Sequence, residues 1–186
     1  MDSQSGIVQE LTADHARVRG LFDRIRSSEP GSAERADLVE QAGIELVRHS
    51  VAEKEYLYPA VRRHLPDGDG WADRELAQHQ EVEWLIAALE DAEPHGEEYG
   101  RLLLALITKV TEHLVEEEQL LFPRLQALCP AGELRELGGK VRAAEVSAPT
   151  RPRPLAPDSA ALVKVGARVW GPLDRLRDFT ERRGRR

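Results

Sequence analysis

Apolar residues recur along most of the chain at three- and four-residue steps, the period of a helix with one face turned inward. Leu11, His15, Val18, Phe22 and Ile25 mark one such stripe; Leu102, Ala105, Leu106, Val110, His113, Leu114, Glu117, Leu120 and Leu121 mark another. Turn-forming clusters interrupt the pattern at Pro30-Gly31-Ser32, at Pro66 to Gly70, at Pro94-His95-Gly96 and at Cys129 to Gly132. Between them the chain is rich in Ala, Leu, Glu, Arg and Gln, residues that favour helix. The pattern predicts four helices and no strands, and short connections make neighbouring helices antiparallel. The expected fold class is therefore all-α, an antiparallel up-down-up-down four-helix bundle over residues 5–130. A helical extension at 131–148, a Pro-rich linker at 149–157 and a basic amphipathic C-terminal helix at 158–186 are expected to follow it.

The two halves of the bundle repeat at an offset of 64 residues. His15 corresponds to His79, His49 to His113, Glu53 to Glu117 and Pro59 to Pro123. A duplicated helical hairpin is the simplest origin. Each half holds a lone His followed by an HxxxE pair, His49 with Glu53 and His113 with Glu117, and then an aromatic-Pro step, Tyr58-Pro59 or Phe122-Pro123. Residues four apart lie one turn up on the same helix face, about 6 Å along the axis, so each pair addresses one site. These side chains ride on the apolar stripe and so face inward, where each unpaired polar group costs several kcal/mol. A metal centre would offset that cost.

The rest of the chain limits the setting. No stretch approaches the roughly 20 apolar residues that span a bilayer. The start, Met1 to Ser5, has neither the charge nor the apolar run of a secretory signal, and the single Cys129 forms no internal disulfide. A cytoplasmic, soluble protein is expected. The formal charge is −7. From Thr150 onward 10 Arg and Lys stand against 4 Asp and Glu, +6, which leaves −13 for the body. The body should repel nucleic acid, and no nucleic-acid partner is expected.

Ligand type and number narrow the metal. Zinc would be satisfied by four ligands and would favour cysteine, whereas imidazole mixed with carboxylate, with ligands to spare, suits iron or manganese. Six or seven ligands exceed one ion. Two ions bridged by Glu53 and Glu117 and by an oxo or hydroxo group, with four terminal His, would fill ten of about twelve positions. Glu83, one turn after His79, is expected as a further ligand. Its counterpart by the repeat is Arg19, so the two ions would be unequal: His79, Glu83 and His113 about one, His15 and His49 about the other.

At these residues the chain resembles the hemerythrin-like, or HHE cation-binding, family. The resemblance covers roughly residues 7 to 127 and rests on Asp14-His15, His49-x3-Glu53, His79 and His113-x3-Glu117, in that order. It implies a non-haem, oxo-bridged di-iron centre in a four-helix bundle, with the two Glu as bridges and the His as terminal ligands. Family members bind oxygen, sense oxygen or redox state, handle iron, or decompose peroxide. An anionic Glu83 where oxygen carriers have a fifth histidine would favour the ferric state and weaken reversible oxygen binding. Ferritin-like bundles, the rival on this architecture, use Glu-x-x-His. No such spacing occurs here.

Other residues have plainer readings. His64 and His95 sit beside loop breakers and are expected to be exposed; Tyr56, one turn after Glu53, is expected to pack; Trp84 is expected in the core or on the bundle surface rather than as an electron relay; Cys129 is at most a minor redox handle. In the tail, Leu162, Val165, Val169, Leu173 and Leu176 form a stripe with Arg on other faces. It could dock on the bundle, on a second subunit or on an anionic membrane surface. Three functions stay open: a di-iron module that binds or senses oxygen, nitric oxide, iron or redox state; an enzyme that decomposes hydrogen peroxide in a catalase- or peroxidase-like way; and a structural bundle with a generic divalent-cation site.

Overall fold

The structure, a computed structural model, describes residues 6–154, 170–174 and 178. It is helical throughout, with no strand among the described residues. Helix α1 spans Ile7–Ser27, and α2 spans Ala33–Ala52, opened by Ser32, whose hydroxyl accepts the Arg35 N–H at 3.1 Å. α2 runs into a π-helical turn, Glu53–Leu57, and then α3, Tyr58–His64. The second half repeats the plan. Helix α4 is Gly68–Asp91, α5 is Glu97–Glu116, a second π-helical turn is Glu117–Leu121, and α6 is Phe122–Leu128. A further helix, α7, spans Ala131–Ser147 and packs on α1 and α2.

The two π turns are a feature that apolar periodicity does not show. Each begins at the glutamate of an HxxxE pair and ends two residues before a proline. In each, a backbone N–H reaches five residues back, Tyr58 to the Glu53 carbonyl and Phe122 to the Glu117 carbonyl. Proline supplies the reason: its ring crowds the carbonyl four residues earlier and it has no N–H to give. A one-residue widening relieves both faults without ending the rod, and such insertions are frequent at functional sites.

Two tight connections need glycine. Gly31 adopts φ 77°, a left-handed backbone conformation open to glycine at little cost. A Cβ on Gly68 would lie 2.2 Å from the Val61 carbonyl oxygen, so only glycine lets α4 start this close against α3.

Buried apolar side chains form two blocks. One, around Ile7, Leu11, Leu57, Val61, Leu121, Leu125 and Val141, lies at the end covered by α7. The other, around Val18, Phe22, Leu38, Leu46, Ile86, Leu106 and Leu114, fills the opposite end. Between them in sequence, and packed against both, sits a layer of buried polar side chains: His15, His49, Glu53, Glu75, His79, His113 and Glu117. No described helix is long and apolar enough to cross a membrane.

Of the expected tail, residues 150–154 run beside α4, where Gln80 Nε2 donates to the Pro154 carbonyl at 3.2 Å. Arg153 and Arg151 pair with Asp174 and Asp178. The stripe residues Leu162, Val165, Val169 and Leu176 lie outside the described residues.

Candidate metal centre

Four helical rods deliver the histidines. His15 comes from α1, His49 from α2, His79 from α4 and His113 from α5, and all are at most 4% exposed. Each ring has its Nδ1 engaged. Glu118 Oε1 faces His15 Nδ1 at 2.8 Å, Asp14 Oδ2 faces His49 Nδ1 at 3.4 Å, Ser50 Oγ faces His79 Nδ1 at 2.9 Å, and Gln78 Oε1 faces His113 Nδ1 at 2.9 Å. An acceptor on Nδ1 favours the neutral tautomer with its proton there and Nε2 free as a lone-pair donor, which is how outer partners orient metal-binding imidazoles. The Nε2 atoms accordingly converge in two pairs, His15 with His49 at 3.3 Å and His79 with His113 at 3.0 Å.

Glu53 joins the pairs. Its Oε1 lies 3.1 Å from His49 Nε2 and its Oε2 lies 3.1 Å from His79 Nε2. Glu117 Oε2 is 3.4 Å from His15 Nε2 and 3.6 Å from His113 Nε2. The donor atoms thus form two groups, His15/His49/Glu53/Glu117 and Glu53/His79/His113, each gathered within 4.8 Å. The six expected side chains that repeat at 64 residues are brought together.

Glu83 is not. Its Oε1 pairs with Lys54 Nζ at 2.8 Å and its Oε2 accepts the Arg153 backbone N–H at 3.2 Å. The repeat explains this. Lys54 corresponds to Glu118 and Glu83 to Arg19, and Arg19 holds Glu118 through two 2.9 Å bonds. The same interhelix ion pair occurs in both halves with its charges exchanged, so Glu83 has a structural partner outside the cluster. The carboxylate that α4 does supply is Glu75, one turn before His79 and fully buried. Because α4 runs antiparallel to the α2 rod, the Glu53 side of His79 is its N-terminal side. Glu75 Oε2 lies 2.9 Å from His113 Nδ1, and Glu75 gathers with His113 and Glu117.

Tyr58 is the second residue the sequence pattern passed over. Its hydroxyl lies 2.9 Å from His79 Nε2, 3.2 Å from Glu53 Oε2 and 3.4 Å from Glu117 Oε1. In an uninterrupted α-helix a residue five after Glu53 would point about 140° away from it. The π turn returns Tyr58 to the Glu53 face, while Tyr56 packs against the apolar block as expected. By the repeat Phe122 takes the equivalent place and stacks on His15 at 5.5 Å. One half of the site is therefore finished by a hydroxyl and a third carboxylate, the other by a hydrocarbon ring.

Electrostatics show what the cluster lacks. Burial, and then the charge on His49, bring His15 down to about 4, and burial brings His79 down to about 3. Burial opposes the charge on His49, but Glu53 and Asp14 outweigh it and hold that ring up at about 10. Burial likewise opposes the Glu53 charge, yet His49 keeps its carboxyl well below the usual range. Burial, followed by the charges of Glu53 and Glu75, pushes Glu117 well above the usual range. Glu53 Oε1, Glu117 Oε2 and both oxygens of Glu75 are buried with no hydrogen aimed at them, although imidazole nitrogens lie nearby. Close donors without donor-acceptor alignment, in a buried layer, fit cations, and a cation would satisfy the orphaned oxygens.

A surface cleft of about 260 Å³ reaches this layer. Its lining includes His49 and Asp14, with Glu145 of α7, which burial and Asp14 push up to about 8.

Comparison with known proteins agrees with the geometry. Over 178 residues the chain is 26% identical to an uncharacterised hemerythrin-like protein of Schizosaccharomyces pombe, covering 95% of this chain and 87% of that one. It is 29% identical over 128 residues to a protein of Nostoc described as a DNA nickase, covering 67% of this chain but only 35% of that one. Among solved structures, a hemerythrin HHE cation-binding domain-containing protein from Mycobacterium kansasii superposes with a TM-score of 0.66 at 25% identity, covering 75% of this chain and 85% of that one. The hemerythrin HHE cation binding domain matches residues 6–125, more than half of the chain and all of the residues that converge here, and the chain belongs to that family.

Proposed function

We propose that the cluster holds two non-haem iron ions and that the protein binds or senses a small redox-active ligand there: dioxygen, nitric oxide, or the redox and iron state itself. Glu53 carries this proposal. One carboxylate places one oxygen 3.1 Å from an imidazole of each pair, which suits a bridge between two cations better than a shell around one. Imidazole and carboxylate donors without sulfur, and more of them than tetrahedral zinc uses, favour iron. Iron would supply a redox couple and an exchangeable position for an outside ligand.

The side chains do the rest. Asp14, Glu118, Ser50 and Gln78 fix the ring orientations, and the apolar blocks flank the buried layer. Glu75 adds negative charge to the His79/His113 half, taking the part first expected of Glu83. That charge favours the more oxidised state, and so favours sensing or transient binding over reversible carriage. Tyr58 equips the same half with a proton donor. Burial, together with the charges of Glu53, Glu117 and Glu75, pushes its hydroxyl well above the ordinary range, so it keeps its proton at neutral pH.

That hydroxyl favours a second function, decomposition of hydrogen peroxide, in which Tyr58 Oη would hold or deliver the proton. The two separate on the same preparation. A reversible spectral change when the reduced protein meets dioxygen or nitric oxide supports binding. Sustained oxygen evolution from peroxide supports the enzyme, and Tyr58→Phe should then slow it by about 10²-fold, the usual contribution of a positioned proton donor. Zinc at full occupancy with no iron would leave only a generic cation site.

A further inference from the structure

We propose that His64, Cys129 and Glu133 form a second metal site, for one zinc-like divalent cation, at the end of the bundle and independent of the His/Glu layer. Three elements meet there. His64 is the last residue of α3, Cys129 follows α6, and Glu133 lies in the first turn of α7. The repeat makes the encounter natural: His64 corresponds to Leu128 and Leu65 to Cys129, so the two HxxxE rods end side by side and each brings one donor to the junction. His64 follows Glu53 by 11 residues on its rod, about 16 Å along the axis.

The three donor atoms lie within 4.8 Å of one another. Arg63 Nη2 holds Glu133 Oε1 at 2.6 Å and so turns Oε2 toward His64 Nε2, 3.0 Å away. That is the outer support a metal-binding carboxylate commonly has. Cys129 is 5% exposed, and the contact its sulfur makes, to the Pro130 carbonyl, is long at 3.9 Å. A buried cysteine alone is ordinarily a small hydrophobe. Here an imidazole and an oriented carboxylate stand on one side of it.

One sulfur, one nitrogen and one oxygen donor leave a fourth tetrahedral position for water, a ligand count typical of zinc. A thiolate disfavours magnesium and calcium. Burial and the Glu133 charge push the Cys129 thiol up. Binding would therefore form a metal–sulfur bond and release the thiol proton to solvent. With the carboxylate, the thiolate balances a divalent charge.

Cobalt(II) titration of the iron-loaded, full-length protein tests the site. The His/Glu layer has no sulfur, so a thiolate-to-cobalt charge-transfer band reports only this junction. One equivalent of cobalt should develop the band, and zinc should abolish it by competition. Cys129→Ser should lose it, and His64→Ala or Glu133→Ala should weaken binding by more than about tenfold, the least that loss of a supporting partner costs. Iron content should stay unchanged in all three. No sulfur band in the wild type at excess cobalt overturns the proposal, as does a band that survives His64→Ala and Glu133→Ala undiminished, which would mean a lone thiol. If Cys129→Ser fails to fold, the other two variants, at half-buried positions, decide.

Discussion

At the scale of single residues, spacing and orientation divide what could be foreseen from what could not. His15, His49, Glu53, His79, His113 and Glu117 were legible because a four-residue step on a helix and a 64-residue repeat both act on them. Glu75 obeys the same four-residue step from His79, but in the direction that only an antiparallel neighbour makes productive. Glu83, on the other side, could have been recognised as one end of an ion pair, since the 64-residue offset maps Lys54 and Glu83 onto Glu118 and Arg19. His64, expected in solvent, is half-buried against Glu133. We expect His113→Ala and Glu117→Ala to lose most bound iron. Glu83→Ala should retain wild-type iron content, because its carboxylate serves Lys54 and the Arg153 backbone. Elemental analysis of the purified variants checks this, and an iron loss in Glu83→Ala matching that of Glu117→Ala would return Glu83 to the ligand set. Glu75→Ala should lower iron occupancy or speed autoxidation of the reduced protein, followed by its absorption spectrum; a variant identical to wild type in both would make Glu75 only a partner of His113.

The helices themselves follow from apolar periodicity and turn residues, and the bundle order follows from short connections. The π turns could not be read from periodicity, since a single inserted residue hardly disturbs an apolar stripe. Their signal was the proline six residues after the glutamate of each HxxxE pair, Pro59 after Glu53 and Pro123 after Glu117. Tyr58 was passed over for the same reason: regular helix geometry turns it away, and the widened turn brings it back. The layered core makes a further prediction. Leu106 is 1% exposed in the apolar block away from α7 and separate from the metal layer. Leu106→Ala should cost about 2–5 kcal/mol in urea denaturation of the iron-free protein. Iron stoichiometry after refolding should be that of the wild type. Loss of iron in step with stability would show that the layer is not held independently of that block.

For the whole molecule the central fact is a buried polar layer between two apolar blocks, in which oxygens of Glu53, Glu75 and Glu117 have no hydrogen-bond partner. Without metal, His49, held up at about 10, retains its proton at neutral pH, and Glu117 is shifted in the same direction, whereas His15 and His79, down at about 4 and about 3, have already lost theirs. Metal bound at these residues would displace the His49 proton and any proton on Glu117, so affinity should rise with pH and fall on acidification. At least the His49 proton should leave on loading near pH 7, measurable by calorimetry in buffers of different ionisation enthalpy. No proton release would mean that the ligands are not these. For the metal-free fold, a depressed His pKa withholds protons that the unfolded chain accepts. Stability from His15 and His79 is therefore present above the ordinary histidine value and lost as pH falls from about 6.5 toward about 4 for His15 and about 3 for His79. The metal-to-protein ratio of aerobically purified, full-length protein bears most directly on the whole account. Two irons per chain, falling toward none in Glu53→Ala, are expected; one ion per chain, or zinc at full occupancy with no iron, would contradict it.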